Sequence, residues 1–147
     1  MKLHQLSLFL ENRPGAIKVP CRLLADAGIN ILTLNLADTA EYGILRLIVK
    51  DWQRAKQVLT DAGCVVNVAE VIAIDVPHRP GGLADVLDVL DTENLGIAYM
   101  YAFAHGRGSE HAAMIFRFDD PDRAVQVLLR HHIHAIASVD LFARVSP

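Results

Sequence analysis

The sequence contains an internal repeat. The tripeptide Arg13-Pro14-Gly15 recurs as Arg79-Pro80-Gly81, 66 residues later. The nine residues 51–59 recur as residues 120–128, 69 residues later, with six identities. Self-similarity of this kind means that one supersecondary unit is built more than once. We therefore expect two copies of a single folding unit, with residues 1–70 as the first repeat and residues 71–147 as the second.

A third match lies between these two. Gly28-Ile29 is paired with Gly96-Ile97, an offset of 68 residues. The offset then grows from 66 to 68 to 69 along the chain. This growth predicts short insertions in the connection after the first helix and in the following hairpin, because loops accept insertions readily.

The apolar pattern within each copy predicts the order β-α-β-β-α-β, the split βαβ arrangement. In the first copy the strands are expected at residues 3–10, 29–36, 42–49 and from 64 onward. In the second copy they are expected at residues 72–76, 95–104, 112–118 and 135–142. The fold class is therefore α+β, with two tandem ferredoxin-like βαββαβ units whose antiparallel sheets carry helices on one face. Because residues 65–76 contain no Gly, Pro or Ser linker, the two units are expected to pack together.

Capping residues predict where the helices begin and end. Asn12 or Arg13 is expected to cap the first helix with Pro14 in its first turn, and Gly28 to end it in a left-handed conformation. Asp51 and Asp119 or Asp120 are expected to cap the second helix of each copy. Pro20 conflicts with a regular first helix, because it removes a backbone hydrogen bond, so a kink or a late helix start is expected there.

The composition excludes several functions. Hydrophobic residues make up 52% of the chain, and its net charge of −3 is spread without a basic stripe, so nucleic acid is an unfavourable partner. No apolar run reaches the roughly 18 residues of a membrane span, and the first residues do not resemble a secretory signal, so a cytoplasmic location is expected. Cys21 and Cys64 belong to no paired motif, so neither a disulfide framework nor a zinc site is indicated.

The first copy resembles the ACT domain, a regulatory module of amino-acid metabolism. The resemblance rests on residues 9–15 (FLENRPG), 24–31 (LADAGINI) and 42–46 (YGILR), and the whole chain is similar to stand-alone tandem ACT proteins. It implies an amino-acid effector site formed by the first strand–helix loop and the start of the second strand, commonly at an interface between two domains. The candidate ligand-binding residues are Asn12, Arg13, Pro14, Gly15, Ala16, Ile29, Asn30 and Ile31.

Elementary chemistry supports these residue types. A glycine at the opening of a helix lets a ligand approach the backbone N–H groups, which favour a carboxylate. The amides of Asn12 and Asn30 can hold the carboxylate and the α-ammonium of one zwitterion, and we expect them at adjacent strand ends. The alternative for each asparagine is ordinary local capping, and for Arg-Pro-Gly an ordinary turn.

The second copy departs from this pattern. His78 stands in the place of Asn12, and the offset of 68 puts Ala98 in the place of Asn30. Gly81 and Gly82 can still form an anion-binding turn, so a second site at His78, Gly81 and Gly82 stays open. The alternative is a structural half, in which Tyr99, Tyr101 and Phe103 share one face of a strand as core residues.

Other constellations carry less weight. His131, His132 and His134 invite a metal interpretation, but helix ends commonly attract histidine, so no metal site is expected, and no cofactor either. His105 and His111 flank residues 106–110, which are expected to form an exposed hairpin loop. Acylphosphatases share the fold and use an Arg with an Asn, yet the loop around Arg13 does not resemble theirs, and no other catalytic motif is present. The chain is not expected to be an enzyme.

The sequence therefore favours a regulatory protein that senses a free amino acid and transmits binding through a domain or dimer interface. The alternative is a ligand-free interaction module or regulatory subunit of an amino-acid-metabolism enzyme. Because ferredoxin-like sheets leave edge strands available for pairing, a homodimer is expected.

Overall fold

The computed structural model describes residues 1–38, 41–103 and 110–145. Its elements follow the order β1 (Lys2–Glu11), α1 (Lys18–Asp26), β2 (Ile31–Asp38), β3 (Tyr42–Val49), α2 (Trp52–Asp61), β4 (Val66–Pro77), α3 (Gly82–Thr92), β5 (Ile97–Phe103), β6 (His111–Phe118), α4 (Pro121–Arg130), β7 (Ala135–Ile136) and α5 (Ser138–Val145). The predicted α+β fold class and the twofold βαββαβ order are confirmed.

The chain forms two compact units, which are called the first and the second repeat below. The first is His4–Ala69, and the second begins at Glu70 and includes Met1–Leu3. In the first repeat β3 pairs antiparallel with both β1 and β2. Its core lies between this sheet and the helices α1 and α2, and consists mainly of Leu6, Leu8, Leu24, Ile29, Leu45, Leu47, Val49, Ala55 and Leu59.

The second repeat has the same plan. Strand β6 pairs antiparallel with β4 and β5. Helices α3 and α4 cover one face of this sheet, with a core of Ile72, Ile74, Val76, Val86, Leu90, Leu95, Phe116, Phe118, Ala124, Val127 and Leu128. The expected alternation along β5 is confirmed, since Tyr101 and Phe103 are buried while Ala102 between them is exposed.

The start of α1 differs from the expected cap. Helix α1 begins at Lys18 after a series of turns, and its N-cap is Ile17, without a side-chain hydrogen bond. The prediction that Asn12 or Arg13 caps it was therefore wrong. The late start explains Pro20, which occupies the third helical position, where a backbone N–H has no helical partner in any case. Of the two outcomes expected for Pro20, the late start is the one observed.

The helix ends correct the repeat register. Gly28 follows α1 with φ +70°, and Asn94 follows α3 with φ +50°, so these two residues are equivalent at an offset of 66. Their N–H groups make the same contact, with the carbonyl of Ala25 at 2.9 Å and of Asp91 at 2.8 Å respectively. The match of Gly28 with Gly96 was wrong. The equivalent of Asn30 is consequently Gly96, not Ala98, and the whole insertion lies in the hairpin between β5 and β6.

The recurrent nine-residue segment has a structural role. In each copy its aspartate, Asp51 or Asp120, accepts a hydrogen bond from a backbone N–H three residues later, at 3.1 and 3.0 Å, and so caps the helix as predicted. The donating residue is an arginine whose guanidinium donates to carbonyls at the end of the preceding helix. Arg54 reaches Ala27 O at 2.7 Å, and Arg123 reaches the carbonyls of residues 93 and 94. One Asp-x-x-Arg motif therefore ties two helices together in each repeat.

Strand β4 is continuous across the predicted repeat boundary. The last strand expected in the first copy and the first strand expected in the second are parts of one strand of 12 residues, Val66–Pro77. This fits the absence of Gly, Pro and Ser between residues 65 and 76.

The end of the chain was predicted as a strand over residues 135–142, and this was wrong. Only Ala135–Ile136 pair as a strand, with β4, and α5 follows. Ile74 and Val76 face α3 and α4, so Asp75 between them points to the opposite sheet face. Arg144 of α5 donates two hydrogen bonds to the Asp75 carboxylate, both at 3.0 Å, which anchors α5 on that face. Within the described residues, no helix is long and apolar enough to cross a membrane.

The Asp75 carboxylate responds to its surroundings. Its side chain is 12% exposed, and this burial raises its pKa. Hydrogen bonds from Arg144 and His134 outweigh the burial, so the net pKa of Asp75 lies below its ordinary value. His134 approaches with Nδ1 at 3.1 Å from Asp75 Oδ2.

We predict that Asp75→Asn loosens α5. The amide keeps the size of the carboxylate but loses the charge that holds Arg144, so the free energy of unfolding should fall by about 1–2 kcal/mol. Hydrogen exchange of residues 138–145 should accelerate most. The exposed Asp91→Asn in α3 is the matched control, and an equal effect of both variants would contradict the anchor.

The wild-type anchor should also depend on pH. Because the pKa of Asp75 is lower in the folded protein than in the unfolded chain, its stabilisation is complete above about pH 4 and is lost as the pH falls through the folded-state pKa. Asp75→Asn should flatten this part of the curve of unfolding free energy against pH.

Candidate functional site

An open pocket lies beside the loop that follows β1. It has an empty volume of about 350 Å³, and its walls come from the end of β1, the turns before α1, and the facing ends of β2 and β3. The lining residues are Leu10, Glu11, Asn12, Arg13, Ala16, Ile17, Leu36, Asp38 and Gly43. This pocket, called the first pocket below, belongs entirely to the first repeat.

The walls of the first pocket are apolar on one side and polar on the other. Leu10, Ile17 and Leu36 supply the apolar part. The charged groups are Arg13 and two carboxylates. Arg13 Nε donates to Glu11 Oε2 at 2.6 Å, which leaves the terminal guanidinium nitrogens beside the exposed loop.

The loop backbone is shaped by Gly15. Its φ of +85° is the left-handed conformation that glycine adopts without strain, and an added Cβ would meet no atom within 4 Å. Two turns close around it, from Ala16 N–H to Arg13 O at 3.3 Å and from Lys18 N–H to Gly15 O at 3.2 Å. The backbone at Gly15 is therefore open to close approach by a ligand.

The structure separates the candidate residues into two groups. Asn12, Arg13 and Ala16 line the first pocket, and Pro14 and Gly15 belong to the same loop. Ile29, Asn30 and Ile31 lie elsewhere. Ile29 is part of the core at 9% exposure, so its role there is packing, and Asn30 is exposed.

The strand register explains the separation. Asp38 pairs with Gly43 at the pocket end of β3, whereas Ile31 pairs with Val49 at the other end. Seven residues of strand span about 23 Å. Asn30 precedes Ile31, so it lies at the end of the sheet away from Asn12. The expectation that Asn12 and Asn30 sit at adjacent strand ends was wrong within one repeat, because α1 carries the chain back along the sheet before β2 begins.

Three lining residues were missed by sequence reasoning, namely Leu36, Asp38 and Gly43. The signal that could have found them is the hairpin itself. A second strand that ends in a turn near residue 40 must return its last residues to the level of the loop after β1, since the third strand pairs with the first.

A second pocket occupies the equivalent place in the second repeat. It has an empty volume of about 630 Å³ and is lined by Val76, Pro77, His78, Arg79, Pro80, Leu83, Ala112 and Met114. His78 lines this second pocket, Gly81 has a φ of +84° like Gly15, and Gly82 is the first residue of α3. Arg79 is held by Asp85, with Nη2 at 2.6 Å from Oδ2. The candidate second site is thus associated with a cavity.

Gly82 decides where α3 begins. A Cβ at this position would lie 2.0 Å from the carbonyl oxygen of Pro77, so only glycine permits this approach. The equivalent residue in the first repeat is Ala16, at the offset of 66. Its methyl group excludes the same approach, which accounts for the start of α1 at Lys18, two residues later than α3 in the repeat register.

The histidines of the second repeat make separate contacts. His131 Nε2 lies 2.7 Å from Glu93 Oε1, whose carboxylate also accepts from Arg130, while His134 contacts Asp75. His132 adopts a φ of +54° after α4. No group of three His, Cys, Asp or Glu side chains in residues 1–38, 41–103 and 110–145 is placed to hold a metal ion. His105 and residues 106–109 of the predicted loop lie outside the described residues.

Comparisons identify relatives of the chain. A protein-family model described as an ACT domain pair matches residues 1–145. Among solved structures, the chain is similar to protein BT0572 from Bacteroides thetaiotaomicron, with 37% identity and a TM-score of 0.88 over 97% of this chain and 96% of that one. Curated protein sequences give no match.

The chain also shares its fold with two more distant proteins. The regulatory subunit of aspartate kinase from Thermus thermophilus, in its ligand-free form, is 16% identical with a TM-score of 0.60, over 86% of this chain and 91% of that one. The corresponding subunit from Thermus flavus is 16% identical with a TM-score of 0.62, over 88% and 90%.

We predict that Gly82→Ala destabilises the second repeat by about 2 kcal/mol or more, because the new methyl group overlaps a fixed carbonyl oxygen. Chemical denaturation would measure the loss. The reciprocal change Ala16→Gly is the matched control and should cost less than about 1 kcal/mol. Similar losses in both variants would contradict the role given to Gly82.

Proposed function

Because the chain belongs to the ACT domain family, as a pair of ACT domains, we propose that it binds a free amino acid reversibly in the first pocket. ACT domain pairs are regulatory modules, so the proposed role is to sense the amino acid and not to transform it. The observation that supports this most is the arrangement of Asn12 and Arg13 on one wall of the pocket and Asp38 on another.

The two polar walls suit the two ends of a zwitterion. The amide of Asn12, the terminal nitrogens of Arg13 and the open backbone at Gly15 are donors for a carboxylate. Asp38 is an acceptor for an ammonium group. Pro14 and Ala16 shape the loop, while Ile29, Asn30 and Ile31 would contribute only if a different domain supplied them, as ACT interfaces commonly do.

Binding would act by shifting a population. A ligand that orders the loop after β1 favours whichever state of the protein has that loop ordered. We propose that this shift is transmitted through a domain or dimer interface to an enzyme of amino-acid metabolism. The Thermus proteins carry this fold as regulatory subunits of aspartate kinase. The proposed repeat boundary stays at residues 70 and 71, and the proposed location is the cytoplasm, which fits the free thiols of Cys21 and Cys64.

A second site at His78, Gly81 and Gly82 is supported by the second pocket, which has the same left-handed glycine. The rival function is a ligand-free interaction module. Its second repeat would then be structural, and its pockets would respond to no amino acid.

The proposed binding is tested by thermal shift with the free amino acids. A ligand at a hundredfold excess over its Kd stabilises the folded protein by about 2.7 kcal/mol. Gly43→Val should abolish the shift, since even a Cβ at residue 43 would lie 3.3 Å from Leu36 Cδ1 and would intrude on the pocket. Ala112→Val, the equivalent change in the second pocket, is the control.

The outcomes separate the proposal from its rival. If no amino acid raises the melting temperature of the wild type, the ligand-free module is favoured. Asn30→Ala should leave the shift intact if the pocket is complete within one repeat. A lost shift would show that Asn30 of another domain takes part.

We also propose a homodimer. Strand β2 pairs with β3, and among the described residues of the first repeat no strand pairs with its other edge. Leu34 and Leu36 on β2 are 44% and 49% exposed, as expected for an edge that a second copy would cover.

The mass in solution tests the homodimer. Light scattering coupled to gel filtration should give twice the chain mass for the wild type. Leu34→Lys should give the monomer mass, because a charge on an edge strand opposes edge pairing. Val19→Lys, an equally conspicuous exposed apolar position on α1, should leave the dimer intact. A monomeric wild type would refute the proposal.

A further inference from the structure

We propose that Asp38 determines the specificity of the first pocket, by binding the α-ammonium group of an amino acid whose side chain is aliphatic. This inference rests on the proposed function and adds the ligand class and the residue that selects it. Asp38 lines the pocket from the end of β2, whereas Asn12 and Arg13 line it from the loop after β1.

The position of Asp38 is fixed by backbone pairing. It stands opposite Gly43 in the β2–β3 register, and Gly43 is buried in the pocket wall. Glycine at residue 43 leaves the floor between Asp38 and Leu36 unfilled, since a Cβ there would come within 3.3 Å of Leu36 Cδ1. The strand pairing therefore holds a carboxylate at the rim of an open floor.

The charges of the pocket leave Asp38 uncompensated. Of the three charged lining residues, Glu11 and Arg13 pair with each other at 2.6 Å. Among the residues that the structure describes, Asp38 has no hydrogen-bond or ion-pair partner. A ligand ammonium is the group that would complement it, and a charged hydrogen bond of this kind favours the amine over a neutral replacement by about tenfold or more.

The remaining surface selects the side chain. Leu10, Ile17 and Leu36 form the apolar wall. A ligand side chain with polar groups would lose its hydration against these residues without gaining hydrogen bonds from them. An aliphatic side chain would bury apolar surface there at no such cost. The pocket thus fits an aliphatic α-amino acid better than a polar one.

The second repeat lacks this feature. At the offset of 66 the sequence has Ala104 in the place of Asp38, although Ala104 lies outside the described residues. The described lining of the second pocket contains His78 and Arg79 and no carboxylate. The carboxylate at Asp38 is therefore a property of the first pocket and not of the shared backbone.

The experiment measures Kd by calorimetry for L-valine and L-leucine and for their 2-hydroxy acids, 2-hydroxyisovalerate and 2-hydroxyisocaproate. Each pair shares the carboxylate and the side chain and differs only at the ammonium group. The wild type should bind the amino acid at least tenfold more tightly. Asp38→Asn should reduce this ratio to within threefold, mainly by weakening the amino acid.

The control is Glu41→Gln, which removes a nearby exposed carboxylate that does not line the pocket. It should keep the wild-type ratio, and melting curves should show that both variants are folded. An unchanged ratio in Asp38→Asn overturns the proposal.

Failure of the proposed function has a different signature. If a polar amino acid stabilises the wild type and L-valine and L-leucine do not bind, the aliphatic assignment is overturned while amino-acid binding stands. If no free amino acid binds at all, both are overturned.

Discussion

The antiparallel register of β1, β3 and β2 determines which side chains can meet a ligand in the first repeat. Because β3 pairs with both neighbours, Glu11 at the end of β1 and Asp38 at the end of β2 come to the same edge of the sheet. The loop after β1 supplies donors at that edge, and the hairpin supplies an acceptor. The same pairing sends Asn30 to the opposite edge, so the composition of the pocket follows from hydrogen bonds of the backbone.

Local signals in the sequence predicted the fold well. Alternation and capping placed the strands and helices, since Asp51 and Asp120 cap helices by contacts within three residues. The terminal helix was not predictable in this way. Its anchor joins Asp75 to Arg144, 69 residues apart, and no local pattern reports such a contact. Likewise, the loop residues of the candidate site were predicted from their types, whereas Asp38 and Gly43 required the strand register.

Residue identity also misled the alignment of the two copies. Gly28-Ile29 and Gly96-Ile97 look alike, but the property that the structure repeats is a positive φ after the helix, and Asn94 provides it in the second copy. Asparagine tolerates this conformation better than most residues. Once backbone conformation replaces identity as the criterion, the register stays at 66 until the hairpin, and Gly96 takes the place of Asn30.

The two copies keep different things in common at their helix ends and in their pockets. The Asp-x-x-Arg ties and the left-handed glycines at 15 and 81 are present in both, and these residues hold the backbone in place. The pocket linings differ, because Glu11 and Asn12 are replaced by Pro77 and His78, and Gly43 by Ala112. A shared backbone therefore presents one lining with two carboxylates and another whose charged groups are basic. Since ligand charge is read by these side chains, the two repeats are chemically unequal receptors built on one framework.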